Sequence, residues 1–288
     1  MKKYFLKIII AVLLLTSCKD NTENKSNDNA DSTVTAKSST DKNKIHKNIH
    51  IMAKPDSIAI DASRTAVIVV DMQNDFAAKG GMYDRAGFNI SMIQKVIDPT
   101  AKILAAARQV GIKIIYLKMG YHEDLSDLGS EESVSRMRLL KNRHFGDTIS
   151  APNGSKSRIL IRATWNTDIV PELKPHADDI VIYKTRFSGF YQTDLDSILK
   201  KLGKKYLIIT GCTTSICVES TVRDAMFRDY LAVVLEDCTA EPIGNDLPRS
   251  NHEASLLIIQ KVLGWVSSSD EFIKALKEQP ISNDQKLQ

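Results

Sequence analysis

Cysteine is scarce in this chain of 288 residues, which contains four: Cys18, Cys212, Cys217 and Cys238. Cys18 belongs to a processing signal described below, and the remaining three cannot all pair, so a disulfide framework is not supported. Positive charge is also in small excess, with a formal net charge of +4, and no basic stripe carries interleaved aromatic residues. A nucleic-acid partner is therefore not expected.

Long apolar runs are absent from the sequence except at the N-terminus. There, residues 5–15 form a mostly apolar core after a short basic start, and this core is too short for an ordinary spanning helix. The following Leu-Thr-Ser-Cys, at positions 15–18, resembles a bacterial lipobox. Residues 1–17 are therefore predicted to be a lipoprotein signal peptide, cleaved before a lipidated Cys18 that anchors the protein to a membrane of the cell envelope. The alternative is an ordinary secretory peptide in which this cysteine occurs by chance.

Residues 18–55 lack aromatic side chains and are rich in Asn, Asp, Ser, Thr and Lys. Such a segment cannot bury enough apolar surface to fold, so it is predicted to be a disordered tether. One folded domain is predicted at 56–280, where apolar runs and amphipathic patterns recur, and residues 281–288 are predicted to be a tail.

Apolar runs alternate with helical patterns through the predicted domain. One helix, 100–110, is predicted from Asp98 as its N-cap and Gly111 as its C-terminal cap. Strands are predicted at 66–70, 113–117, 179–183, 206–210 and 231–235, with a short last strand at Val266. Alternating strands and helices predict a three-layer α/β/α fold, doubly wound around a mostly parallel six-stranded sheet.

Three side chains with complementary chemistry follow three of these strands. Asp71 and Lys184 each come directly after a strand, and Cys217 opens a helix after a third strand and a sharp turn. Because ligands bind at the carboxyl ends of parallel strands, we expect the three to converge. A carboxylate can accept the thiol proton, and an ammonium can hold the thiolate. A first-turn position also predicts a lowered pKa for Cys217. A buried structural cysteine at a strand–helix joint remains the alternative.

Motifs around these residues resemble the isochorismatase-like cysteine hydrolases. The matching segments are VDMQNDF at 70–76, KTRFSGF at 184–190 and GCTTSICVE at 211–219. The resemblance extends over about residues 66–276 and is closest to the ureidoacrylate amidohydrolases. It implies hydrolysis of a C–N bond in a small amide, ureido or carbamoyl compound through a thioester, with neither metal nor cofactor.

The resemblance also assigns roles to individual residues. It implies that Cys217 is the nucleophile, Asp71 the general base, and Lys184 the residue that orients and balances their charges. A cis peptide bond is implied at Cys212–Thr213, with the N–H groups of Thr213 and Cys217 forming the oxyanion hole. A homo-oligomer acting on a small-molecule substrate is expected.

Candidate substrate contacts are aromatic. Phe76, Trp165 and Phe187 lie in or near the matching motifs and are predicted to form the wall of the substrate pocket, although each could equally be a core aromatic. Tyr121 and Met119 lie in the region where the ureidoacrylate enzymes carry a polar Asn and a Trp. This departure leaves the exact substrate open.

Other functions compete with this one. Nicotinamidases of the family carry an Asp–His–His metal site, but His122 has no second histidine at a suitable spacing. The isochorismatase-like vinyl-ether hydrolases often lack the nucleophile, whereas Cys217 is present here. A third alternative is a tethered binding lipoprotein that keeps the fold without turnover, which the intact set of Asp71, Lys184 and Cys217 argues against.

Overall fold

The structure, a computed structural model, describes residues 48–244 and 248–278. The predicted signal peptide, the lipidation site Cys18 and the tail 281–288 therefore lie outside the described residues. Within the described part of the chain, no helix has the length and apolar character needed to cross a membrane.

The folded part begins earlier than the sequence predicts. Strand β1 (Asn48–Ile51) pairs in antiparallel register with β2 (Ile58–Asp61), although the predicted tether includes residues up to 55. Ile49 and Ile51 alternate with polar neighbours, and both are buried in the core. A short amphipathic strand at the end of the polar segment is therefore part of the domain, which corrects the predicted boundary at residue 56.

Eight further strands follow the hairpin, and six of them form one parallel sheet. In chain order they are β3 (Thr65–Val70), β4 (Lys113–Met119), β5 (Thr148–Ser150), β6 (Lys156–Arg158), β7 (Ile180–Lys184), β8 (Tyr206–Cys212), β9 (Leu231–Ala240) and β10 (Trp265–Ser267). The sheet order is β10-β9-β8-β3-β4-β7, with every pair parallel, while β5 and β6 form a separate antiparallel hairpin. The predicted fold class is confirmed.

The strand order reverses direction between β3 and β8. From β3 the chain continues outward to β4 and β7, and then it returns to add β8, β9 and β10 on the other side. In such sheets a crevice opens outside the carboxyl ends of the strands at the reversal point. The residues that follow β3 and β8, among them Asp71 and Cys217, are therefore placed at the edge where ligands bind.

The helices are mostly short and connect the strands. They are α1 (Asn74–Ala77), α2 (Met82–Arg85), α3 (Ser91–Lys95), α4 (Ile97–Gln109), α5 (Val134–Arg143), α6 (Leu195–Lys201), α7 (Glu219–Met226), α8 (Asn251–Ile258) and α9 (Ser269–Lys277). A π turn, Thr214–Val218, precedes α7. The predicted N-cap Asp98 lies instead in the first turn of α4.

Both faces of the sheet are covered, which explains the continuous apolar strands. In β3, Val67 and Val69 point to the core shared with α4 and α9. Ile68 and Val70 point to the opposite core, which includes side chains of α6 and α7. All six residues of β3 are buried, and the five after Thr65 are apolar, as expected for a strand covered on both faces.

The segment between β4 and β7 contains α5, the β5–β6 hairpin and two short 3₁₀ turns, Trp165–Thr167 and Pro171–Leu173. The sequence predicts short helices here because the segment is too long for a plain loop. Tyr121 joins this segment to the sheet edge by a bridge to Ile161. The segment therefore lies beside the carboxyl ends of the strands and can supply walls to a site there.

Candidate active site

Asp71 and Lys184 form a buried ion pair at the carboxyl edge of the sheet. The Lys184 Nζ donates to Asp71 Oδ2 at 2.7 Å, and neither side chain is more than 1% exposed. Asp71 follows β3 and Lys184 ends β7, with β4 between them. The Met119 N–H at the end of β4 donates to Asp71 Oδ1 at 2.9 Å. The carboxylate is therefore held on both oxygens before any substrate arrives.

Gln73 fixes the backbone around this pair, a role that the sequence analysis did not assign. Its Oε1 accepts from the Met119 N–H at 2.7 Å, and its Nε2 donates to the Met119 carbonyl at 2.9 Å. The same Nε2 donates to the Thr167 carbonyl at 3.2 Å. One buried amide thus ties β4 to the 3₁₀ turn after the β5–β6 hairpin, which keeps the donor to Asp71 in place.

Cys217 lies in the π turn between β8 and α7, after a cis peptide bond at Cys212–Thr213 that agrees with the expectation from the sequence. Burial raises the pKa of the Cys217 thiol above its ordinary value. The adjacent Lys184 ammonium acts to lower this pKa, whereas the Asp71 carboxylate acts to raise it through charge and hydrogen bonding. The structure therefore brings all three side chains together.

The direction of this pKa shift corrects the sequence expectation. We expected a lowered pKa from a position in the first turn of a helix, but α7 begins at Glu219, after Cys217. With only 6% of Cys217 exposed, desolvation of a thiolate outweighs the favourable charge of Lys184. The direction of the shift favours the thiol over the thiolate, so a base that accepts the thiol proton would assist attack.

The nucleophile turn is linked to the loop that follows Lys184. The Thr221 Oγ1 donates to the Cys217 carbonyl at 2.7 Å and accepts from the Gly189 N–H at 3.0 Å. Thr221 is buried in the first part of α7. It therefore couples the position of the thiol to the loop of the lysine, and the motif alone did not indicate this role.

A second link holds the other side of the same turn. The Thr214 Oγ1 lies 2.9 Å from His252 Nδ1 and 2.9 Å from Thr239 Oγ1. Burial lowers the pKa of His252, which favours a neutral imidazole. Helix α8, which carries His252, packs against the nucleophile turn, a contact that no sequence motif indicates.

A cavity of about 330 Å³ opens beside Cys217. Thr213 and Cys217 line it, as do two of the predicted substrate contacts, Phe76 and Phe187. Trp165 is not among the lining residues, and its carbonyl accepts a hydrogen bond from Asn74 Nδ2 at 2.7 Å. The structure thus places the predicted oxyanion-hole residues and two of the three predicted aromatic contacts around one space.

The rest of the cavity wall is apolar apart from the Tyr83 hydroxyl and two arginines, Arg138 and Arg143, on α5. Met119 lines the cavity, whereas Tyr121 does not. The other lining residues are Met82, Tyr83, Leu139, Phe145, Leu160, Ile216 and Ile243. Apolar walls of this kind exclude water and strengthen the few polar interactions within them.

Asp75 joins two parts of this wall. Its Oδ1 accepts from the Met82 N–H at 2.9 Å and from Asn166 Nδ2 at 2.5 Å, and its Oδ2 accepts from the Leu160 N–H at 2.7 Å. Burial raises the pKa of Asp75 to about 7, although these donors oppose the shift. The group therefore fixes α2 and the segment after the hairpin against each other.

Metal-binding chemistry has no obvious place in the described part of the chain. In residues 48–244 and 248–278, no three His, Cys, Asp or Glu side chains are grouped so that they could hold a metal ion. His122 Nε2 lies 3.7 Å from Asp127 Oδ2.

A buried thiol, carboxylate and ammonium at the carboxyl edge of a parallel sheet are the arrangement of a cysteine hydrolase. The isochorismatase domain model matches residues 65–271, and the chain belongs to that family. Among curated relatives, a ureidoacrylate amidohydrolase RutB of Serratia proteamaculans is 39% identical over 226 residues, covering 78% of this chain and 87% of its own length. The RutB of Caulobacter segnis is 37% identical over 226 residues, or 78% of this chain and 90% of its own length.

Solved structures agree with this assignment. A cysteine hydrolase from Pseudomonas syringae pv. phaseolicola superimposes with a TM-score of 0.62 at 29% identity, covering 75% of this chain and 94% of that one. An N-carbamoylsarcosine amidase from Thermoplasma acidophilum, at 24% identity and a TM-score of 0.53, shares the fold over 72% of this chain and 97% of its own.

Proposed function

We propose that this protein hydrolyses a C–N bond of a small amide, ureido or carbamoyl compound, with Cys217 as nucleophile, Asp71 as general base and Lys184 as the orienting cation. The observation that carries this proposal is the contact of the Cys217 thiol with the buried Lys184–Asp71 pair at the wall of a substrate-sized cavity. The protein is a cysteine amidohydrolase, as its family and its similarity to the RutB enzymes support.

The first half-reaction transfers the acyl or carbamoyl group to sulfur. Asp71 accepts the thiol proton while the Cys217 sulfur forms a bond to the carbonyl carbon, giving a tetrahedral oxyanion. When this species collapses, the C–N bond breaks and the proton held by Asp71 passes to the leaving nitrogen. Lys184 stays charged throughout, so it compensates the carboxylate in the resting state and the sulfur during attack.

The second half-reaction returns the enzyme to its starting state. Water attacks the thioester, or the thiocarbamate from a ureido substrate, and gives its proton to Asp71. Collapse breaks the C–S bond, and the sulfur of Cys217 recovers a proton from Asp71. In both halves, backbone N–H groups of Thr213 and Cys217 stabilise the oxyanion, a contribution that is typically large in dry sites.

Similarity to ureidoacrylate amidohydrolases favours a ureido or carbamoyl carbon as the attacked group. The products are then an amine and carbamate, and the carbamate decomposes to ammonia. Phe76 and Phe187 remain the proposed aromatic contacts, because both line the cavity, while the position of Trp165 outside it does not support the same role.

A hydrolysis screen tests the function. Ureido acids and primary amides are incubated with the protein, and ammonia release is measured. Turnover should be lost in Cys217→Ala and in Asp71→Asn, and retained in the matched control Cys238→Ala, whose thiol is buried outside this cavity. If both site variants kept the activity of the wild type, the assignment of the nucleophile and base would be wrong.

We also propose that the mature protein begins at a lipidated Cys18 and resides in the cell envelope, tethered by the polar segment that follows. The support is the lipobox-like sequence at 15–18. Cys18→Ala should yield uncleaved or soluble protein, while the wild type should require detergent for release from membranes. Release of the wild type by salt alone would overturn the anchor.

We also propose that the protein forms a homo-oligomer. Analytical ultracentrifugation of the chain without its signal peptide should give a mass that is a multiple of one subunit. A monomer at all concentrations would contradict this.

A further inference from the structure

We infer that the cavity beside Cys217 selects substrates with an apolar, preferably aromatic, body and an anionic group, and that Arg138 and Arg143 bind this anionic group. The inference rests on the proposed hydrolytic function and specifies its substrate class. The observation behind it is one cavity lined by the nucleophile, by many apolar side chains and by two arginines.

The apolar body is inferred from the walls. Phe76, Tyr83 and Phe187 give the cavity aromatic surfaces, and Met119 closes the space near the ion pair. Polar side chains that could recognise a small, highly polar ligand are few: besides the arginines, Thr213, Cys217 and the Tyr83 hydroxyl. A volume of about 330 Å³ is at the small end of ligand cavities, so one ring with a short chain would fill it.

The anionic group is inferred from the charge at the cavity. Both arginines line it, and no Asp or Glu is among its lining residues in the described part of the chain. A guanidinium binds a carboxylate with two parallel hydrogen bonds, which also fix the direction of the ligand. Positive charge without a lining carboxylate therefore complements a negatively charged substrate and disfavours a positively charged one.

A series of ring contacts extends from Phe76, which lines the cavity beside Cys217, to one of these arginines. Phe76 and Tyr83 contact edge to face at 5.0 Å, and Tyr83 contacts Phe88 at 5.1 Å. The Arg143 guanidinium lies over the Phe88 ring at 4.4 Å. Stacking limits the orientations of the guanidinium, so this cavity-lining residue holds its charge in a restricted position.

Tyr83 does not compete with a bound anion for this charge. Burial raises the pKa of its phenol well above the ordinary value, and the nearby Cys217 and Cys212 sulfurs shift it in the same direction. The phenol therefore stays neutral. Tyr83 and Cys217 line the same cavity, so both can contact the same small ligand.

Three ureido compounds test the aromatic body and the anionic group of the substrate separately. N-Carbamoylphenylalanine has both an aromatic body and a carboxylate, phenethylurea lacks the carboxylate, and N-carbamoylglycine lacks the ring. Ammonia release should give the first a kcat/KM about tenfold or more above each of the others, as a charged hydrogen bond or a buried ring each contributes at least that factor. Equal values for all three would overturn the inference.

Arginine variants test the assigned residues. Arg138→Gln and Arg143→Gln should raise KM for N-carbamoylphenylalanine about tenfold with little change in kcat, and should leave phenethylurea unaffected. Arg143→Lys, which keeps the charge but not the paired hydrogen bonds, should fall between. The matched control is Arg64→Gln, an exposed arginine at the opposite end of β3 from Asp71. Unchanged KM in both Gln variants would contradict the assignment.

A binding measurement keeps this inference separate from the proposed function. Calorimetry with 3-phenylpropionate, which has no C–N bond, should show binding to Cys217→Ala that weakens in Arg138→Gln and Arg143→Gln backgrounds. Such binding without turnover of any ureido or amide compound would support the cavity assignment and reject the hydrolytic function. Turnover of ureido compounds with no arginine-dependent binding would support the hydrolytic function and reject the cavity assignment.

Discussion

The Lys184 ammonium contacts the Asp71 carboxylate at 2.7 Å across the end of strand β4, and both side chains are almost completely buried. Removing two charges from water costs several kcal/mol per ion, and their attraction offsets this only with good geometry and further hydrogen bonds. The Met119 N–H supplies one such bond to Asp71, and the Arg186 carbonyl accepts a weaker one from Lys184 at 3.3 Å. Burial of the pair therefore costs free energy, and its role beside Cys217 explains why the protein contains it.

Substitutions in this ion pair should affect stability and activity differently. Lys184→Met leaves Asp71 charged and buried, so the free energy of unfolding should fall by roughly 3–5 kcal/mol. Lys184→Met combined with Asp71→Asn removes both charges, and should recover much of that stability while remaining inactive. Urea denaturation and ammonia release measure the two quantities. A double variant less stable than the single one would show that the pair itself stabilises the fold.

Alkylation of Cys217 should respond in opposite directions to loss of its two neighbours. Because Asp71 raises the pKa of the thiol and Lys184 lowers it, Asp71→Asn should speed reaction with iodoacetamide and Lys184→Met should slow it. The change should be on the order of tenfold at neutral pH, since one pKa unit changes the thiolate fraction tenfold. Turnover should be lost in both variants.

Peptide mapping provides the control for this experiment. Cys212 and Cys238 are fully buried and do not line the cavity, and burial raises their pKa values as well, that of Cys238 to about 12. Label should therefore appear mainly on Cys217 in every variant that retains it. Preferential label on either of the other two would reject Cys217 as the accessible thiol.

Asp75 should make the protein less stable as the pH rises from about 4 to about 7. Burial raises its pKa from 3.8 to about 7, so the folded state holds the proton more tightly than the unfolded state. The stabilisation is complete below the unfolded pKa and is lost as the pH passes through the folded value. Asp75→Asn should remove this part of the slope of unfolding free energy against pH. An unchanged slope would show that Asp75 is ionised in the folded protein.

The strand ends, and with them the convergence of Asp71, Lys184 and Cys217, could be predicted because buried parallel strands have a strong sequence signal. The direction of the Cys217 pKa could not, since it depends on burial by walls distant in sequence. The roles of Gln73 and Thr221 could not be predicted either. Gln73 bonds to Thr167 and Thr221 bonds to Gly189, and no local sequence pattern specifies these long-range hydrogen bonds.

The contact of His252 with the nucleophile turn also has no local sequence signal, because its two partners come from distant segments of the chain. His252 accepts or donates at 2.9 Å to Thr214, which opens that turn, and the two are distant in the sequence. Helix α8 brings them together only because it packs over the turn.

His252 should therefore make stability and activity sensitive to acid. Burial lowers its pKa, although Glu253 and Glu236 act to raise it, so the folded state disfavours the charged imidazole. As pH falls below the unfolded value of about 6.5, the unfolded state takes up the proton first and stability declines. This slope is opposite in sign to that of Asp75. His252→Asn, which keeps a polar partner for Thr214, should remove the loss of unfolding free energy that occurs as the pH falls below about 6.5. It should also shift the acid limb of kcat to lower pH while leaving KM near the wild-type value. A pH profile of kcat identical to that of the wild type would show that the hydrogen bond between His252 and Thr214 is not needed to position the nucleophile turn.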